Sequence, residues 1–467
     1  MIPSITRRGL LTSGAAALAL APASRAGAAN PPVTLTAGRR TLDVDGKAAS
    51  VFGITQKDGT AGLVTSVRER FRVHLVNDIG IDTLIHWHGL TPPYQQDGVP
   101  GVSGPPIAAG GSADYDFPLP MSGTYWMHSH VGFQEQQLMT APLIIHDAAP
   151  ASEREIVVML HDFSFTDPET IFARLRSRAT SAKPVNAMAG MSAMAAAPDL
   201  NDVSYDAFLA NDRTLADPQI VRVAAGERVR LRLINGASAS NFHIELGTLR
   251  ATLLAVDGHP ARPLTGSGFP LAIAQRIDLM VELPKQAGAW PILAVVEGLN
   301  RRAGIVLATP GARVGRLATG AGRPSAPVDL AFEERLRGAS PLAPRRADRV
   351  LPVALTGDMA AYIWSLNDKV YGQNTPLMVK QGERVEIVMP NRTMMSHPMH
   401  LHGHVFQVVE INGRRFAGAM RDTVLVPPKT TVTVAFDADN PGKWAFHCHN
   451  LYHPEAGMMT TLVYDKF

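Results

Sequence analysis

A ten-residue pattern occurs three times in this chain and sets the scale on which it can fold. The copies are Arg68-Glu69-Arg70-Phe71-Arg72-Val73-His74-Leu75-Val76-Asn77, Gly226-Glu227-Arg228-Val229-Arg230-Leu231-Arg232-Leu233-Ile234-Asn235 and Gly382-Glu383-Arg384-Val385-Glu386-Ile387-Val388-Met389-Pro390-Asn391. Their glutamates stand 158 and then 156 residues apart. Each copy alternates charged and apolar side chains at period two, the mark of a strand with one face in a core. The 467 residues therefore read as three consecutive β units, each with strands enough for a sandwich. A second echo agrees: Gly123-Thr124-Tyr125-Trp126-Met127-His128-Ser129-His130 parallels Gly442-Lys443-Trp444-Ala445-Phe446-His447-Cys448-His449. The middle counterpart, Gly288-Ala289-Trp290-Pro291-Ile292-Leu293, has no histidines, so the first and third units are expected to carry the chemistry and the second to act as a spacer.

His447-Cys448-His449 lies on an aromatic and apolar run that opens after the turn residues Pro441 and Gly442. On a strand, His447 and His449 face one way and Cys448 the other, so one backbone joins two sites. A thiolate, two imidazoles and a weak thioether form a blue-copper electron-transfer centre, and Cys448, His453 and Met458 supply three of the four. Cys448 is the only cysteine, which excludes an intramolecular disulfide and leaves the thiol free for metal. Three further pairs share the one-residue spacing: His86-Trp87-His88, His128-Ser129-His130 and, after His397-Pro398-Met399, His400-Leu401-His402. Eight paired imidazoles plus His397 are the number needed for three clustered coppers and the missing ligand of the sulfur site.

In these motifs, HWHG (His86 to Gly89), HSH (His128 to His130), HPMHLHGH (His397 to His404) and HCHNLYHPEAGM (His447 to Met458), the chain resembles the multicopper oxidase family. The resemblance implies an all-β chain of three consecutive cupredoxin-like Greek-key β-sandwich or barrel domains. It implies four coppers: a type 1 copper on His397, Cys448 and His453 with Met458 as weak axial ligand, a type 2 copper on His86 and His400, and a type 3 pair on His88, His128, His130, His402, His447 and His449. One-electron oxidation of a donor at the type 1 copper would then be coupled to four-electron reduction of dioxygen to water at the other three. Asp97 matches an acid that family members place near the cluster, and is expected to serve in proton supply as well as in its Asp-Gly turn. Some relatives have a glutamate directly after the counterpart of His453, where this chain has Pro454 and then Glu455, so the second proton donor stays open. His74, His146, His161, His243, His259 and His404 receive no role, His404 being read as support for its motif. A copper nitrite reductase would lack the three-copper ligand set, and a relative that had lost its metals would show replaced ligands.

The first residues read as an export leader over 1–28, with Arg7 and Arg8 before an apolar run from Leu10 to Ala23 and small residues at Ala26-Gly27-Ala28. That run is too short to anchor a mature protein, so a periplasmic or secreted location by a twin-arginine route is expected, with no membrane partner. Without Arg7, Arg8 and Arg25 the formal charge of +3 falls to zero, which gives nucleic-acid binding no support. The expected domains are 29–148, 149–310 and 351–467, with a Gly-, Pro- and Arg-rich linker at 311–350. A short helix is expected over Asp167 to Arg178, with Pro168 in its first turn.

The donor is expected to be a phenol or aromatic amine. The alternative is Cu(I), as in copper resistance. Met188, Met191 and Met194 form a Met-x-x-Met-x-x-Met string of soft ligands, and Met394 and Met395 precede His397. The segments Gly132-Phe133-Gln134-Glu135-Gln136 and Tyr452 to Met458 also resemble the bacterial copper-resistance oxidases. Against that reading, methionine is a common adaptable filler, and Thr393 stands where some cuprous oxidases carry an acidic copper ligand.

Overall fold

The alternating segments of the threefold pattern are strands Arg70–Asp78, Arg228–Asn235 and Arg384–Pro390. The computed structural model describes residues 31–149, 153–181 and 200–467. The leader and Met188, Met191 and Met194 lie outside the described residues. In each repeated strand the apolar set points into a core: Phe71, Val73 and Leu75, Val229, Leu231 and Leu233, and Val385, Ile387 and Met389 are all buried.

The repeat extends from sequence to topology. Each of these strands lies between a parallel partner that opens its unit (Val33–Val44, Arg154–Phe163, Arg349–Pro352) and an antiparallel one (Ser112–Pro118, Arg276–Glu282, Thr431–Asp437). A second sheet in each unit pairs a short strand in parallel with the last strand: Leu63–Ser66 with Thr140–His146, Ile220–Arg222 with Arg302–Ala308, and Leu377–Val379 with Met459–Tyr464. That last strand is flanked antiparallel by Gly123–Ser129, Ala289–Val296 or Lys443–Cys448, and these in turn by Ile85–His88, Phe242–Glu245 or His397–Leu401. In the first unit one cluster of buried residues joins Leu35, Phe71 and Phe117 of one sheet to Trp87, Tyr125, Leu143 and Ile145 of the other. Two sheets enclosing a core make each unit a sandwich.

Each repeated segment ends on an asparagine that redirects the chain in the same manner. Asn77, Asn235 and Asn391 are buried, and their Nδ2 groups donate to carbonyls just downstream (Ile81, Ser240 and Met395) and on a later segment (Ile107, Leu271 and Val426). Each Oδ1 accepts the backbone N–H two residues on, at Ile79, Ala237 and Thr393. The side chain replaces ladder partners that the turning backbone loses, which a buried turn must do.

The expected helix spans Pro168–Ser181, three residues beyond Arg178, with Asp167 Oδ2 accepting the Thr170 N–H at its start and Pro168 in the first turn. From Thr309 to Asp348 the chain carries only the short 3-10 turn Glu333–Arg335. Among the described residues no helix is long and apolar enough to cross a membrane.

Because Asn235 satisfies two buried carbonyls and one N–H, Asn235→Ala should destabilise the protein by about 3 kcal/mol. Calorimetry should register this as a lowered melting temperature, with copper content per chain unchanged.

Candidate metal centre

Strand Lys443–Cys448 ends on the sole cysteine, and the chain then folds back as a tight loop through the short helix Tyr452–Glu455. Three backbone bonds close that loop: His453 N to Asn450 O, Met458 N to His453 O, and Cys448 N to Met458 O, at 2.8, 2.9 and 3.1 Å. The closure sets His453 Nδ1 3.4 Å from Cys448 Sγ. His397 Nδ1, from the neighbouring strand, is 3.6 Å from the sulfur and 3.1 Å from His453 Nδ1. A triangle with those sides has its centre about 2 Å from every corner, the length of a metal–imidazole bond. Met458 is buried in the same loop, and Trp364 packs 4.4 Å from the His453 ring and 5.1 Å from that of His397. His397 Nε2 donates to Thr393 Oγ1 at 2.8 Å, which turns Nδ1 toward the sulfur. His453 Nε2 lies 3.5 Å from Asp202 Oδ2.

The other eight imidazoles converge on the opposite side of that strand. Register brings them together: His86 sits opposite His128 in the first unit, and His400 opposite His447 in the third. Only Ile85–His88 holds a whole pair within a strand. His130, His402 and His449 each follow directly on the strand that carries their partner. Three nitrogens form one group, His128 Nε2 lying 3.4 Å from His88 Nδ1 and 3.3 Å from His449 Nε2. His130, His402 and His447 form another, with His402 Nε2 3.0 Å from His447 Nε2. His86 and His400 complete the set: each donates from Nδ1 to a carbonyl, of Asp97 and Asp422, at 2.8 Å. Their Nε2 atoms, like that of His130, are buried without a protein partner. Imidazoles held by oxygen at one nitrogen and bare at the other are oriented as metal ligands are, and a nitrogen-rich set beside a thiolate suits copper.

Acids from distant parts of the chain hold these rings. Asp97 is fully buried, with Oδ2 2.9 Å from His402 Nδ1 and Oδ1 3.2 Å from His86 Nδ1. Its turn needs Gly98, where φ is +86° and a Cβ would stand 1.9 Å from the Ile85 carbonyl oxygen. His404, by contrast, stays outside the cluster: Nδ1 donates to His402 O and Nε2 accepts from Tyr464 Oη. Sequence reasoning missed three acids. Asp422 accepts from His88 Nε2 at 3.0 Å, Glu135 Oε2 lies 2.8 Å from His128 Nδ1, and Asp202 faces His453. Glu135 sits in the segment Gly132 to Gln136 that resembles the copper-resistance oxidases, whereas Asp422 and Asp202 carry no spacing signal. A cleft of about 600 Å³ reaches His128, His130, Glu135, His447 and His449 from the side of Tyr371 and Glu455.

Burial, reinforced by neighbouring imidazoles, holds His88, His130, His397, His400, His402 and His449 well below the usual histidine range. Burial also brings His447 to about 3, and His161, His259 and His404 to about 4. Unfolded imidazoles titrate near about 6.5. Above that pH neither state is charged. Below it the unfolded chain takes up protons that the folded one refuses, so stability falls with pH by about 1.4 kcal/mol per unit for each such ring. Copper-free protein should therefore show a urea midpoint that is flat above about pH 6.5 and drops steeply toward about pH 4.5. Copper-loaded protein should hold its midpoint further down, because ligation keeps the rings deprotonated.

Three family models described as multicopper oxidase match residues 37–150, 155–309 and 346–466. The multicopper oxidase MmcO of Mycobacterium tuberculosis is 32% identical over 452 residues, covering 92% of this chain and 86% of that protein. Copper resistance protein A of Escherichia coli is 27% identical over 554 residues, 91% of each. Among solved structures, the laccase from Botrytis aclada superposes with a TM-score of 0.76 at 22% identity over 93% of this chain and 88% of its own. Lac15 from a marine microbial metagenome gives 0.63 at 26% over 92% and 99%. The three sandwiches are thus cupredoxin domains in series, and the chain belongs to the multicopper oxidase family, copper-dependent oxidoreductases that use oxygen.

Proposed function

We propose that this chain is a laccase-like multicopper oxidase holding four coppers, and that it oxidises phenols and aromatic amines one electron at a time. In this reading His397, Cys448, His453 and Met458 hold the type 1 copper, and His86 and His400 the type 2. The type 3 pair falls to the two groups of three, His88, His128 and His449, and His130, His402 and His447. The domains run 29–148, 149–310 and 351–467. The observation that carries the reading is the two-faced strand: Cys448 reaches one donor set while His447 and His449 reach the other.

Bound copper would supply one-electron chemistry with a donor and the reduction of dioxygen to water. The peptide from Cys448 to His447 and His449 is the covalent route between the two sites. Thr393 fixes the outer nitrogen of His397 and Asp202 faces that of His453, so that the inner nitrogens are directed at the sulfur. Burial alone would raise the Asp202 carboxyl, but the facing His453 ring and the hydrogen bond from Tyr362 bring it below the usual range. Burial, with Asp162 nearby, pushes the Glu135 carboxyl well above the usual range, and its Oε2 lies 2.8 Å from His128 Nδ1. Glu135 therefore joins Asp97 as a source of protons for oxygen reduction and fills the place left open beside Pro454. The leader reading supports export to the periplasm or beyond.

A second reading, oxidation of Cu(I), is favoured by the likeness to copper resistance protein A and by Met188, Met191 and Met194. Oxygen consumption with a phenolic donor and with Cu(I), each with and without added Cu(II), separates the two. We expect phenol turnover to persist in a Met188→Leu, Met191→Leu, Met194→Leu variant. Cu(I) turnover that far exceeds phenol turnover and collapses in that variant would establish the metal-oxidase reading instead. Cys448→Ser should abolish the blue absorbance and nearly all turnover while sparing most cluster copper, because a hydroxyl does not replace the thiolate. A retained blue band would refute the ligand assignment.

A further inference from the structure

The middle unit supplies none of the proposed ligands, yet one of its side chains reaches the histidine cluster through a single intermediary. We propose that Arg276 is a positioning residue for the cluster: by clamping Asp422 it fixes which nitrogen of His88 faces the metal.

Arg276 opens strand Arg276–Glu282 and is wholly buried. Its Nη1 and Nη2 donate to Asp422 Oδ1 and Oδ2 at 2.8 and 2.5 Å, the two-pronged geometry that a planar guanidinium offers a carboxylate. Nε donates to the Thr124 carbonyl of the first unit at 3.1 Å, and Nη1 also to Ala274 O at 3.1 Å. One side chain thus ties all three units together.

The grip on Asp422 passes directly to the rings. Asp422 Oδ1 accepts from His88 Nε2, and the Asp422 carbonyl accepts from His400 Nδ1. His88 is unlike the neighbours that meet it: His128 and His449 turn Nε2 inward, whereas His88 presents Nδ1 because Asp422 holds its Nε2. A tilted or displaced carboxylate would release that ring. Further charges brace the clamp from behind, with Asp257 Oδ1 3.8 Å from Arg276 Nη1 and Arg421 bridging Asp257 Oδ2 and Glu333 Oε2 at 2.9 Å each. A buried carboxylate is costly without such a partner.

The last residue of the first histidine motif fits the same device. Gly89 has φ +89°, and a Cβ there would stand 2.5 Å from Arg276 Nη2 and 2.7 Å from Asp422 Oδ2. The glycine leaves room for the clamp beside the strand that carries His86 and His88.

This inference rests on reading the eight imidazoles as a copper cluster. Its test uses the full-length copper-loaded protein and the variants R276M, R276K, D422N and D422N/R276M. Copper per chain, blue absorbance and the paramagnetic resonance of the cluster are followed during dialysis against a chelator. R276M should keep its blue absorbance but hold cluster copper about 10- to 100-fold more weakly, the loss usual when a ligand's outer partner is removed. R276K, which keeps the charge but not the fork, should fall between R276M and the parent, and carries the comparison if R276M does not fold. D422N/R276M should be no worse than D422N, since the arginine acts through that carboxylate. Cluster copper held by R276M and R276K as firmly as by the parent overturns the proposal. So does a parallel loss of blue absorbance and cluster copper, or additivity in the double variant. Failure of the underlying reading looks different, because the parent itself would then bind no cluster copper.

Discussion

Nine buried imidazoles, the half-buried His130 and a buried thiol stand with lone pairs aimed at one another, an arrangement that only a cation can satisfy. Removing that many polar nitrogens from solvent is unfavourable, and the protein's own hydrogen bonds meet only the outward half of the requirement. Carbonyls and carboxylates take the Nδ1 atoms of His86, His400, His402 and His447, while the inner nitrogens are left to metal. On the proposed ligand assignment, folding and metal loading are two parts of one equilibrium, since the site is complete only when the units that frame it have closed.

The β architecture makes the geometry possible at little conformational cost. Side chains alternate across a strand, so a three-residue motif serves two sites without a turn or bulge between them. Antiparallel register does the remainder: a histidine on the edge of one hairpin meets its counterpart on the next strand, in the first unit as in the third. The same sandwich thus presents a half-site twice, and apposition of the two halves creates a cluster neither could hold alone.

What was legible in the sequence follows from that regularity. Period-two alternation and the 158- and 156-residue spacing mark three β units because a pleated strand imposes both. The paired histidines stand out for the same reason. The acids do not, because they act across the chain: Asp422 is 334 residues from His88, and Asp97 is 305 from His402. No local pattern records a contact made by tertiary closure. Helix Pro168–Ser181 was placed by its Asp-Pro opening, while its far end had no comparable stop signal. The asparagines that close each repeat were visible as part of the pattern, but their burial and triple bonding were not.

Calling the middle unit a spacer describes its ligand count and misses its electrostatics. Arg276 is held by the second unit's sheet, donates to the first and grips the third, while Asp202 meets His453 from the segment that precedes strand Ala207–Ala210. The outer units supply fixed charges too, Asp97 and Glu135 from the first and Asp422 from the third. The middle unit adds its own from buried positions, where a charge acts at full strength. Orienting the rings is therefore shared among all three units, and the middle unit's part in it accounts for its buried arginine and aspartate, where a simple hydrophobic contact would have sufficed to join its neighbours.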